Sequence, residues 1–174
     1  MAVQFSEETH KQFEDVLTRY PTKRAAILPT LWLAQAEFGY LSPAVMEHVA
    51  GLLDLSPAYV RGVATFYTMF YKEPMGKCHV QVCTNLSCTL LGAEKIVRCL
   101  EDRLGVKVGQ TTGDKLFSLS EVECLGSCGT APVIQVNDDY HENQTPESML
   151  GLIDELAKQA ESASTSGPGT SSTL

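Results

Sequence analysis

The 174-residue sequence predicts an α+β protein, a helical bundle followed by a domain in which helices pack on a small sheet. Three observations predict it. Apolar residues recur at helical spacing through residues 1–75, and the period changes to alternation after Lys72-Glu73-Pro74-Met75-Gly76. All six cysteines (Cys78, Cys83, Cys88, Cys99, Cys124 and Cys128) fall beyond that change. Charge divides at the same point: residues 1–75 carry 6 Lys and Arg against 8 Asp and Glu, while residues 76–161 carry 7 against 13.

The first region reads as a string of helices. Ser6 can cap a helix with Glu7 and Glu8 in its first turn, and Phe13, Val16, Leu17 and Tyr20 form one apolar stripe before Pro21. A second helix is expected from about Lys23 to Phe38, with Gly39 as its stop and Pro29 imposing a kink or a late start. Ser42-Pro43 and Ser56-Pro57 each set a capping residue before a proline at the first helical position. Those two helices carry Val45, Val49, Leu52 and Leu53, then Val60, Val63 and Tyr67. Trp32 and the cluster Phe66-Tyr67-Phe70 read as core aromatics.

In the second region, residues 76–161, Cys78, Val80 and Val82 alternate with His79 and Gln81 as in a half-buried strand. A helix is expected from about Leu90 to Leu104, then strands at Leu116–Val122 and Pro132–Val136. Asn137-Asp138-Asp139 makes a turn into a short strand at Tyr140-His141-Glu142, and Thr145-Pro146 opens a last helix. The order β-α-β-β-α is the core of a thioredoxin-like sheet. Ten of the thirteen residues 162–174 are Ser, Thr or Gly, so this tail is expected to be disordered.

Composition excludes several functions. With 44% hydrophobic and 20% charged residues the chain has the profile of a soluble globular protein. No apolar run approaches the roughly 18 residues that span a bilayer. A net charge of −8 has the wrong sign for a protein that neutralises phosphates, so no nucleic acid is expected as a partner. The start MAVQFSEETHKQF shows neither a secretory signal nor a transit peptide. Neither GxGxxG nor GxxxxGK[ST] occurs, so no dinucleotide or triphosphate is bound by those routes, and no catalytic constellation stands out.

The cysteines carry the chemistry. Cys83-x4-Cys88 and Cys124-x3-Cys128 form two close pairs, each where a strand should end and a loop begin. Four thiolates are the usual ligand set of a [2Fe–2S] cluster. Structural zinc also takes four sulfurs; the spacing favours iron–sulfur without excluding zinc. Cys88 is expected just before the Leu90–Leu104 helix, whose N-terminal N–H groups would face the sulfurs. Gly126 and Gly129 are expected to let the backbone approach and donate N–H···S bonds that tune the potential. Cys78 and Cys99 read as core residues, and His10, His48, His79 and His141 show no ligand spacing.

At KRAAILPTLWLAQAEFGYLS, VRGVATFYTMF, VCTNLSC and ECLGSCGTAPVIQVNDDYHENQTPE the sequence resembles the thioredoxin-like [2Fe–2S] subunit of proton-pumping NADH:quinone oxidoreductase, respiratory complex I. The resemblance covers residues 5–158 and implies a helical bundle ahead of a thioredoxin-like [2Fe–2S] ferredoxin domain. It implies one [2Fe–2S] cluster ligated by Cys83, Cys88, Cys124 and Cys128. It also implies a partner flavoprotein subunit that binds NADH and FMN, with which the cluster exchanges electrons, and beyond it the larger peripheral arm of the complex. This chain would itself bind neither FMN nor NADH and insert in no membrane; the absence of a presequence at its start favours a bacterial protein, at the cytoplasmic face of the cell membrane, over a processed organellar one. The same module in NAD-linked hydrogenases and formate dehydrogenases, a free-standing thioredoxin-like ferredoxin, and a zinc scaffold are the alternatives.

Overall fold

The computed structural model describes residues 3–165, and the chain divides into two units, Met1–Pro74 and Met75–Leu174. Among the described residues no helix is long and apolar enough to cross a membrane.

The first unit is all helix: α1 (Glu7–Arg19), a 3₁₀ turn (Lys23–Ala26), α2 (Ile27–Phe38), α3 (Pro43–Leu53) and α4 (Pro57–Phe66). Four hydroxyls cap these starts: Ser6, Thr22, Ser42 and Ser56 accept from the N–H groups of Thr9, Ala25, Val45 and Tyr59. Pro29 resolves as a late start. The 3₁₀ turn precedes α2, so Pro29 is the third α-helical residue, where a missing N–H costs little. Phe13, Leu31, Leu41, Val49, Leu53, Val60 and Phe70 form the core.

Buried Gln35 holds the chain after α4. Its Nε2 donates to the Met69 carbonyl at 3.1 Å and its Oε1 accepts from the Tyr71 N–H at 2.6 Å. Of the expected core aromatics only Phe70 is buried; Trp32, Tyr67 and Phe66 are exposed, Phe66 to 78%. Helical spacing carries the stripe to Val63, but α4 stops at Phe66 and Tyr67 is already extended, so the two rings leave the packed face.

The second unit is a four-stranded sheet in the order β2-β1-β3-β4, made of β1 (Cys78–Cys83), β2 (Phe117–Val122), β3 (Ile134–Val136) and β4 (Asp139–His141). β1 runs parallel to β2 and antiparallel to β3, and β4 is an edge strand paired with β3 alone. Three helices complete the unit: α5 (Leu86–Leu90), α6 (Ala93–Leu104) and α7 (Pro146–Thr165). Val80, Val82, Ile96, Leu100, Leu119, Ile134, Met149 and Ile153 are its core. This is the sheet-and-helix arrangement the β-α-β-β-α order implied.

Three local expectations need correction. β1 is not half-buried: as a central strand it buries both parities, including His79, whose Nε2 bonds the Ser120 hydroxyl at 2.8 Å. The helix expected from Leu90 to Leu104 is two helices, because Gly92 takes φ +104 and breaks the path between α5 and α6. α7 passes the expected boundary at 161 and runs to Thr165, with the Ser162 hydroxyl donating to the Gln159 carbonyl. The rest of the expected disordered tail, 166–174, lies outside the described residues.

Candidate metal centre

The sheet brings both cysteine pairs to one end of the second unit. β1 and β2 are parallel with Cys83 beside Val122, so the loops that follow them leave the sheet together. Cys83 is the last residue of β1, and its N–H donates to the Val133 carbonyl at 3.2 Å. Cys88 lies inside α5. Cys124 follows β2, and Cys128 opens a 3₁₀ turn, Cys128–Thr130. Cys83 and Cys88 are 3% and 2% exposed, whereas Cys124 and Cys128 are open to solvent.

Polar groups shape each loop. Asn85 caps α5, accepting from the Leu86 N–H at 2.8 Å, while its Nδ2 reaches across to the Glu123 carbonyl at 2.7 Å. Asn85 thus ties the first loop to the residue before Cys124. In the second loop the Ser127 and Thr130 hydroxyls lie 2.7 Å apart, and both donate to Glu142 Oε1, Thr130 at 2.7 Å. The Tyr140 hydroxyl donates to the Leu125 carbonyl at 2.9 Å.

The thiols interact with one another and with backbone N–H groups. Burial raises the Cys83 thiol, but N–H groups of Asn85 and Leu125 and the thiols of Cys88 and Cys124 outweigh it, and its pKa falls below the ordinary value. Cys88 goes the other way: burial pushes it up, the Val133 N–H opposes, and the neighbouring Cys83 and Cys128 add repulsion. The Gly126 N–H donates to Cys124 Sγ at 3.3 Å. Cys78 is half-buried at the far end of β1 with its thiol raised by burial, and Cys99 is half-buried on α6. Among the described residues no three His, Cys, Asp or Glu side chains form a single-ion site; a binuclear cluster asks for two ligands at each iron.

The family model of the thioredoxin-like [2Fe–2S] ferredoxin matches residues 13–157. The chain belongs to that family. Among its relatives are E-type subunits of NADH-quinone oxidoreductase, one from Rhizobium meliloti (strain 1021), where it is the second of its type, and one from Rickettsia bellii (strain RML369-C). The first is 49% identical over 83% of this chain and 86% of its own length. The second is 48% identical over 82% and 87%. An NAD+-reducing [NiFe]-hydrogenase in its air-oxidised state shares the fold, with a TM-score of 0.68 and 19% identity over 82% of this chain. The present chain spans 24% of that hydrogenase chain. The cofactor of this ferredoxin family is one [2Fe–2S] cluster. The donor set suits it: four free thiols in two pairs, with N–H groups directed at three of the sulfurs.

Two expectations about the surroundings change. Cys88 does not lie directly before the long helix; it sits within five-residue α5, and α6 starts only at Ala93. The N–H donors to sulfur come instead from Asn85, Leu125, Gly126 and Val133. A Cβ would meet nothing within 4 Å at either Gly126 or Gly129, so no close approach requires a glycine at either position; Gly126 is set apart by its φ of +77 and by its N–H···S bond. Asn85 before a short apolar run was a legible cap signal. Tyr140 and Glu142 gave no signal, since their contacts arise from the β3–β4 pairing.

Proposed function

We propose that the chain is the electron-transfer subunit of an NADH:quinone oxidoreductase, holding one [2Fe–2S] cluster on Cys83, Cys88, Cys124 and Cys128. The observation that carries this reading is the joining of two distant cysteine pairs at one end of a parallel strand pair. The 49% identity to the Rhizobium meliloti relative over most of both chains supports it. The partner is an NADH- and FMN-binding flavoprotein subunit within the peripheral arm, at the cytoplasmic face of the membrane. The cluster supplies one-electron transfer when bound.

The chain's own residues do the rest. Buried Cys83 and Cys88 keep water from one side of the sulfur set. The N–H groups of Asn85, Leu125, Gly126 and Val133 offset its negative charge. Exposed Cys124 and Cys128 give an electron partner the shortest approach. The hydrogenase module is the second reading, and its 19% identity supports a common fold rather than a common complex.

EPR of the dithionite-reduced chain, with iron and zinc analysis, tests the cofactor. One unpaired spin and about two irons per chain are expected, lost in Cys128→Ser and kept in Cys99→Ser. Stoichiometric zinc without a signal in anaerobic protein overturns it. Co-purification with the flavoprotein subunit, and reduction of the centre by NADH only in the pair, tests the partner.

A further inference from the structure

Tyr140 lies on the edge strand β4, with 49% of its surface exposed. Its hydroxyl donates to the Leu125 carbonyl at 2.9 Å. That carbonyl belongs to the same peptide group as the Gly126 N–H, which donates to Cys124 Sγ at 3.3 Å. A single amide therefore accepts from the phenol at its oxygen and donates to a thiol sulfur at its nitrogen. Hydrogen bonds in series polarise one another: a donor at the carbonyl draws electron density from nitrogen and strengthens the N–H.

The geometry points to Tyr140 as a positioning residue that sets the reduction potential of the centre through the 125–126 peptide. The inference rests on the cluster assignment above. Uptake of one electron, here from dithionite, adds one negative charge to the centre, and a stronger N–H donor at Cys124 stabilises that reduced state.

The two residues just past β4 hold the loop as well. Glu142, two residues on and so of the same parity, accepts from Ser127 and Thr130 on either side of Cys128. Asn143 N–H donates to the Thr130 carbonyl at 2.7 Å. The Leu125 carbonyl is thereby kept within reach of the phenol.

The test is an EPR-monitored redox titration of the full chain, wild type against Tyr140→Phe, with iron content and thermal melting measured on the same samples. Phenylalanine keeps the ring and removes only the hydroxyl. The expected result is full iron, an unchanged melt and a lower midpoint. Cooperative strengthening of a charge-assisted bond corresponds to about a twofold to fourfold drop in the reduced-to-oxidised ratio at fixed potential. For one electron that is roughly 18 to 36 mV.

A midpoint equal to wild type with full iron overturns the inference and leaves the cluster assignment intact. A wild-type chain with no two-iron signal overturns the assignment, and the inference with it. Should Tyr140→Phe lose iron, a ring-fluorinated tyrosine at position 140 decides. Its more acidic phenol is a stronger donor and should raise the midpoint; an unchanged or lowered value overturns the proposal.

Discussion

Cys83 and Cys88 are almost fully buried whereas Cys124 and Cys128 lie open, and the means that hold the two pairs differ to match. The first pair is cast by the core. Cys83 ends the central strand directly after Val82, which is 0% exposed, and both cysteines belong to the apolar cluster of the second unit. The second pair is held by polar tethers to the edge strand and the residue beyond it, Tyr140 on Leu125 and Glu142 on Ser127 and Thr130. Half of the sulfur set is thus fixed by the packing that fixes the fold. The other half is adjustable, because its tethers can change without disturbing a buried contact.

The largest test of that contrast replaces one sulfur from each pair. Cys83→Ser and Cys128→Ser should both lose all iron, but only the first should unfold the metal-free chain more easily. A hydroxyl in the core at position 83 costs about 1–3 kcal/mol, whereas a surface change at 128 stays within about 0.5 kcal/mol. Urea melts of the metal-free variants measure the difference, and equal losses would break the comparison.

Acid sharpens it next. Burial lowers His79, on the same central strand as Cys83, to about 4. The unfolded chain takes up that proton near pH 6.5 while the folded one resists until about 4. Stability therefore falls as pH drops through this window, by on the order of 3 kcal/mol in all. His79→Gln should flatten that slope in denaturant melts from pH 7 to 4. A slope unchanged in the variant would assign the acid sensitivity elsewhere.

How much of this was legible in the sequence depends on range. The caps at Ser6, Ser42 and Ser56 act within three residues and were read correctly, as were the start of α7 at Pro146 and the stop at Gly39. The run TLLGAEKIV hid the break at Gly92, because apolar periodicity continues across it while the backbone does not. The cysteine spacing was plain. Its tethers were not, since Tyr140 to Leu125 and Ser127 to Glu142 each span 15 residues, and Asn85 to Glu123 spans 38. Those contacts exist only after β1, β2, β3 and β4 have taken their register, and no local pattern encodes it.

The exposed loop can be loosened through one carboxylate. Hydrogen bonds from Ser127 and Thr130 hold Glu142 below the usual carboxylate range. A lowered acid favours the tethered loop above its ordinary pKa, and the gain is lost as pH falls through the lowered folded value. Glu142→Gln keeps an acceptor oxygen and removes the charge. It should release iron to a chelator severalfold faster at pH 7 while lowering the melt of the metal-free chain only slightly, because the weakened bonds are at the surface. The buried pair should show no such separation of iron retention from stability.

The smallest effect compares two glycines inside that loop. Gly126 has φ +77, in the left-handed region where an L side chain is strained, although a Cβ there would meet no atom within 4 Å. Its cost is therefore conformational rather than steric, about 1 kcal/mol for Gly126→Ala. Relief of that strain would turn the N–H away from Cys124 Sγ, so the midpoint should fall as well. Gly129 sits in the 3₁₀ turn without a positive φ and with the same open space around it. Gly129→Ala should leave the midpoint unchanged and, by narrowing the unfolded ensemble, stabilise the chain by about 0.4–1 kcal/mol. Paired redox titrations and melts separate the two. Equal midpoint shifts would mean that what matters at both positions is space around the sulfurs, not the direction of one N–H.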